Sequence, residues 1–161
     1  IEDDKIKTAV NNFKGVRRRF EYMLRTERHV MIDDYAHHPE ELKALISGVR
    51  SLYANEKCTV IFQPHLFSRT QDLSTEFAAS LDMADEVILL PIYPARELPM
   101  EGVTSELILD KMKLENKQIL SKEAMKTWVA AHKPKLLVMC GAGDIDTLLQ
   151  PVKQILESID A

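Results

Sequence analysis

Two adjacent carboxylates, a tyrosine and two adjacent histidines are packed into IDDYAHHPEE, residues 32–41. Asp33, Asp34, His37 and His38 are acceptable metal ligands by type. Adjacent ligands point in different directions, however, and the series fits neither HExxH nor a closed zinc pattern, so no metal is expected here. A carboxylate at a strand end can instead hold a ribose hydroxyl pair, which makes Asp34 a nucleotide candidate with Tyr35 or His37 beside the base. The plain alternative is a polar turn.

Other groups with chemical potential lie in four further clusters. In QPHLFSRT (63–70), Arg69 could clamp a carboxylate that His65 orients, or Arg69 could simply be solvated. In YPARE (93–97), Arg96 could meet a substrate or pair with its neighbour Glu97. GAGDI (141–145) offers glycines for a tight turn or a close ligand approach, and Asp144 as a helix cap. Arg17, Arg18 and Arg19 form the one dense basic run. On an alternating backbone only one or two of them can reach a common phosphate or carboxylate.

These groups need elements to position them. Apolar runs at VMIDD, CTVIF, EVILL and KLLVMC predict buried strands. RFEYMLR alternates, with Phe20, Tyr22 and Leu24 on one side, and predicts a strand that pairs with VMIDD as a hairpin. A helix is expected over 3–13, with Ile6, Val10 and Phe13 on one stripe. Pro39 suits the first turn of another, which buries Leu42, Leu45, Ile46, Val49, Leu52 and Tyr53. Ser68 or Thr70 should cap a third helix that presents Leu73, Phe77 and Leu81. A short helix is expected within 104–113, and a short strand at QIL. Ser121 should cap a helix that buries Ala124, Met125, Trp128 and Val129. In the last helical stripe, Pro151 either kinks the helix or begins a second piece.

Strands alternating with amphipathic helices predict an α/β fold: a mostly parallel open sheet, Rossmann-like, flanked by helices, with one antiparallel strand admitted. The polar clusters would then gather along the carboxyl edge of the sheet, where ligands bind.

Composition bounds the function. The chain has 161 residues, a net charge of -4 and no long apolar run, which argues against nucleic acid and membrane spans. The two cysteines sit inside apolar runs, which predicts buried thiols and a reducing, cytoplasmic setting. No G-x-x-x-x-G-K-[ST] phosphate loop occurs.

The ordered set FKGVRRRFE, IDDYAHHPEE, FQPHLFSRT, IYPARE and GAGDI resembles the C-terminal domain of bacterial Mur ligases. The match is to the members that join L-alanine to UDP-N-acetylmuramate. The resemblance runs from about residue 10 to the end of the chain. It implies an ATP-dependent, ADP-forming ligase of peptidoglycan synthesis, in which the amine of L-alanine attacks a muramoyl phosphate.

It also implies that residues 1–14 connect from a missing central domain, with 15–161 forming the C-terminal one. Missing N-terminal and central domains would hold the UDP-sugar, the phosphate loop and magnesium, leaving this fragment inactive alone. Carried across, Arg19 and Asp34 fall near ATP, with Arg18 as a neighbour and Tyr35 and His37 on the adenine side. His65 and Arg69 fall in the loop that recognises the alanine carboxylate, with Arg96 on the same cleft edge. Many relatives place Arg where this chain has Leu66. A ligase that recycles a murein tripeptide shares part of the pattern but differs at FQPHLFSRT. A non-catalytic sensor of nucleotides or amino acids is the other alternative.

Overall fold

Strands whose side chains alternate between two apolar faces need helices on both sides, and this chain supplies them. The structure is a computed structural model that describes residues 3–13 and 15–160. Lys14, at the expected domain boundary, lies outside the described residues.

Helix α1 (Asp3–Asn12) precedes a hairpin of β1 (Glu21–Arg25) and β2 (Val30–Asp34). Next come α2 (Pro39–Leu52), β3 (Cys58–Phe62), α3 (Phe67–Leu81) and β4 (Glu86–Leu89). A short α4 (Glu106–Leu109) leads to β5 (Lys117–Ile119), and α5 (Lys122–His132) leads to β6 (Leu136–Cys140). A 3-10 turn, Asp144–Leu148, runs into α6 (Leu149–Asp160).

The six strands lie in the order β1-β2-β6-β3-β4-β5. Only β1 is antiparallel to its neighbour, which realises the expected mostly parallel sheet. Cys58, Val60 and Phe62 of β3 face the core formed with α2, α3 and α4, while Ile61 faces α5 and α6. Because β6 lies between β2 and β3, Asp34, Cys140 and Phe62 end three adjacent strands in one register.

Several local expectations change once partners are in place. A bulge between Tyr22 and Leu24 sets two residues of β1 against one of β2. Tyr22 therefore stays with the first core, and Leu24 turns to the second, not the same side. Helix α3 begins at Phe67, so neither Ser68 nor Thr70 caps it. Its N-cap is Leu66 at φ 72, and the Glu97 carboxylate satisfies the end from outside, accepting from the Ser68 amide at 3.1 Å.

Ser121 does cap α5, accepting from the Ala124 amide, although Ala124 itself is exposed and Trp128 half-buried. Leu52 is also exposed, at the solvent side of α2. Pro151 falls in the first turn of α6, where no intrahelical N–H is lost, so the second-piece expectation holds without a kink. The stripe of α1 is not buried among the described residues: Ile6, Val10 and Phe13 are all exposed. Both thiols are buried, and burial pushes Cys58 up to about 11 and Cys140 well above its usual range.

Phe77 and Phe62 are fully buried with ring centroids 5.5 Å apart, joining α3 to the central strand. Phe77→Ala is expected to cost roughly 3–5 kcal/mol of stability, as large aromatic deletions in cores do. Urea unfolding of the two proteins measures it.

Candidate functional site

The two aspartates of IDDY point to opposite sides of β2 and are used differently. Asp33 accepts from the Arg18 guanidinium, Nε to Oδ2 at 3.1 Å, and its side chain is only 1% exposed. Burial pushes its carboxyl upward, and the Arg18 contact opposes that shift. The Arg18 Nη2 also donates to the Gly141 carbonyl at 2.9 Å. Asp34 accepts from two backbone amides, Phe20 at 2.8 Å and Ala36 at 2.8 Å. These bonds pin residues 16–20 over the strand ends, where Arg18 and Phe20 hold left-handed backbone at φ 58 and φ 46. Such conformations persist in non-glycine residues only when neighbours fix them.

The pinned segment borders an open cavity of about 480 Å³ lined by Val16, Arg17, Arg18, Arg19, Tyr35 and Asp146. Arg18 lies over the Tyr35 ring, 5.1 Å from its centroid, as a cation–π contact. Arg17 is exposed, and Arg19 reaches only a loose pair with Glu41 at 3.5 Å. Arg18 is therefore spent on structure, leaving Arg17 and Arg19 available to an anion.

A second group adjoins the first through His37. Its ring meets Tyr35 edge-on at 5.2 Å and lies 4.9 Å from His38 and 6.1 Å from His65. Its Nδ1 is 2.9 Å from the Tyr35 carbonyl. His65 stacks on Tyr93 at 5.6 Å, with the rings 20° apart. Arg69 Nη1 is 3.0 Å from His65 Nδ1. A guanidinium cannot accept, so His65 Nδ1 must, and the proton of the neutral ring sits on Nε2. Burial, then the Arg69 charge, holds both His65 and His38 below the usual histidine range.

His37, His38 and Glu41 each offer a ligand atom, all within 4.8 Å of one another. They stand at the N-terminus of α2, beside Arg19, with the Arg69 charge acting on His38. That field favours an anion over a cation. Magnesium, which demands oxygen ligands, suits this nitrogen-rich set poorly.

Thus Arg18, Arg19, Asp34, Tyr35, His37, His65 and Arg69 come together along one sheet edge. Arg96 is exposed on the loop after β4, three residues beyond Tyr93. The expected Arg96–Glu97 pair is replaced by Glu97 bound to Ser68 through both carboxylate oxygens. Asp144 does not cap the next turn, whose N-cap is Gly143. It accepts from Gln63 at 2.7 Å and Lys122 at 2.5 Å instead. Gly141, at φ 148, cannot take a side chain, because a Cβ would lie 2.9 Å from the Gln63 carbonyl.

The sequence model of the family described as Mur ligase, glutamate ligase domain, matches residues 18–145. The chain belongs to the Mur ligase family. It is 50% identical over 156 residues to the UDP-N-acetylmuramate–L-alanine ligase of Parabacteroides distasonis, covering 97% of this chain and 34% of that protein. To the ligase of the same name from Porphyromonas gingivalis it is 51% identical over 157 residues, with 97% and 34% covered. This Mur ligase chain thus spans about a third of the length of the curated relatives it matches.

Among solved structures, the UDP-N-acetylmuramate–alanine ligase of Thermotoga maritima superposes with a TM-score of 0.72 at 26% identity, covering 95% of this chain and 32% of that one. A murein peptide ligase from Psychrobacter arcticus gives the same TM-score, 0.72, at 21% identity, with 96% and 33% covered; this likeness is one of fold alone.

Sequence reasoning passed over Tyr93 and Gln63, although both stand in quoted motifs. The signal for Gln63 was an amide at the end of an all-apolar strand, where a buried polar group must find partners. Nothing in the order of residues announces the stacking of Tyr93 on His65.

Arg18→Met strips Asp33 of its buried partner and should destabilise by roughly 3 kcal/mol in urea unfolding. A pH effect also follows. His38 and His65 are harder to protonate than the ordinary 6.5 when folded, so the unfolded chain binds more protons near that value. Their stabilisation is fully present above 6.5 and is lost as pH falls through it toward the folded values. Unfolding free energy should therefore drop between about pH 7.5 and about pH 5.5, and drop less in His65→Gln.

Proposed function

We propose that this chain is the C-terminal domain of the ADP-forming ligase that joins L-alanine to UDP-N-acetylmuramate in peptidoglycan synthesis. One observation carries the reading: a cation-rich place, Arg17–Arg19 with Tyr35, and a single cation beside a neutral ring, Arg69 with His65, flank His37 on one sheet edge. The first suits a nucleotide and the second an amino-acid carboxylate. The names of the relatives at 50% identity point the same way.

ATP would lie with its charged end toward Arg19 and Arg17 and its ring toward Tyr35 and His37. Asp34, already holding two backbone amides, keeps the turn under the ribose and has one further lone pair on each oxygen. Arg69 would grip the alanine carboxylate while neutral His65 donates from Nε2, leaving the amine free to attack the muramoyl phosphate. Arg96 would act only from the rim of this cleft. Closing the domain against the rest of the enzyme would exclude water from the acyl phosphate.

The ligand group His37, His38 and Glu41 is nitrogen-rich and suits magnesium poorly. Magnesium and the phosphate loop would be supplied by the central domain, from which residues 1–14 lead. The exposed stripe of α1 supports that connection. Among the described residues, no helix is long and apolar enough to cross a membrane, in keeping with cytoplasmic work on water-soluble substrates.

The test is ADP release by the full-length enzyme, dependent on L-alanine and UDP-N-acetylmuramate. Arg69→Ala should raise the alanine KM on the order of a hundredfold, and Arg19→Ala the ATP KM about tenfold. An alanine KM untouched by Arg69→Ala would remove the clamp, and activity with a murein tripeptide in place of L-alanine would reassign the substrate. The 161-residue chain alone should release no ADP.

A further inference from the structure

We infer that Gln63 is a positioning residue that holds the 141–145 loop as a strut between the nucleotide side and the amino-acid side; this rests on the reading above. Gln63 is 1% exposed, and both ends of its amide are engaged. Nε2 donates to Asp144 Oδ1 at 2.7 Å, and Oε1 accepts from the Ile145 amide at 3.0 Å. The other oxygen of Asp144 takes Lys122 Nζ at 2.5 Å, which ties the loop to the start of α5. The Gln63 backbone amide donates to the Cys140 carbonyl at 3.1 Å, so loop and strand end move as one.

Held this way, the loop touches both halves of the site. Its first carbonyl, that of Gly141, receives Arg18 Nη2, the same guanidinium that binds Asp33 and covers Tyr35. Its third residue, Gly143, packs so closely that a Cβ there would lie 2.6 Å from the Tyr93 Cβ and 2.6 Å from Gln63 Oε1. Tyr93 in turn carries the stacked His65 ring, whose Nδ1 accepts from Arg69. A contiguous run of contacts therefore leads from Lys122 through Asp144 and Gln63 to the face that sets His65.

A glutamine that merely tightened a turn would affect stability and leave His65 alone. Under the positioning role, Gln63→Leu leaves the Ile145 amide and Asp144 without their partner, and Tyr93 loses its backing. The first readout is the His65 ring by nitrogen-detected NMR of the chain without ligand. The native ring should show the Nε2–H tautomer and a low titration midpoint; Gln63→Leu should shift both ring nitrogens, mix the tautomers and raise the midpoint. In the full-length enzyme, the alanine KM should rise on the order of tenfold, with kcat changed by less than about twofold.

Ring signals that stay put in a folded Gln63→Leu overturn the inference. If that variant does not fold, Lys122→Met, at the solvent-accessible end of the run, decides by the same signals. Ring signals that move while the alanine KM does not leave the positioning intact and remove the amino-acid assignment instead.

Discussion

Strand β6 is last in sequence yet lies between β2 and β3, and the site follows from that placement. Neighbouring strands are about 4.8 Å apart, so the loops leaving Asp34, Cys140 and Phe62 must share one small area. Residues more than a hundred positions apart in the chain are thereby forced into contact: Arg18 with Gly141, for one. No single motif builds this edge. The parallel register does, by ending three strands at the same level.

Charge at the edge is divided by accessibility. The buried Asp33 and the half-buried Arg18 satisfy each other and fix the backbone. Asp34 is absorbed by backbone amides. The outer layer is less committed: Arg17, Arg19, Tyr35, His37 and Arg69, with His65 held neutral by burial and by the Arg69 charge. Beside Arg69 the near carboxylate, Glu97, is already occupied at the start of α3, whereas Arg19 keeps a loose pair with Glu41 at 3.5 Å that an incoming anion must displace.

Much of this was legible in the sequence, because the determining patterns are local. Five-residue apolar runs, too short for ordinary helices and bounded by turn residues, read as strands buried on both faces, and the stripe from Leu42 to Val49 has the helical period. The clustering of polar motifs after strands also followed from the parallel sheet. What stayed hidden depends on partners far along the chain. The bulge that turns Leu24 over exists only against β2. The α3 cap comes from Glu97, 29 residues beyond Ser68, so no serine or threonine marks that start. Asp144 has the right type and place for a cap, yet Gln63 and Lys122, both distant in sequence, claim its two oxygens. Within the site, types were legible and duties were not. Three consecutive arginines look equivalent until the fold ties the middle one to Asp33 and the Gly141 carbonyl.

The cysteines carry a consequence of a different kind. Cys58 opens β3 and Cys140 closes β6, at opposite ends of two paired central strands. Both thiols are sealed in the core and held in the protonated form, so neither presents a thiolate at neutral pH. An alkylating reagent can reach them only when the sheet itself parts. The rate of thiol modification becomes a clock for breathing at the centre of the molecule, with one hand at each end of the sheet.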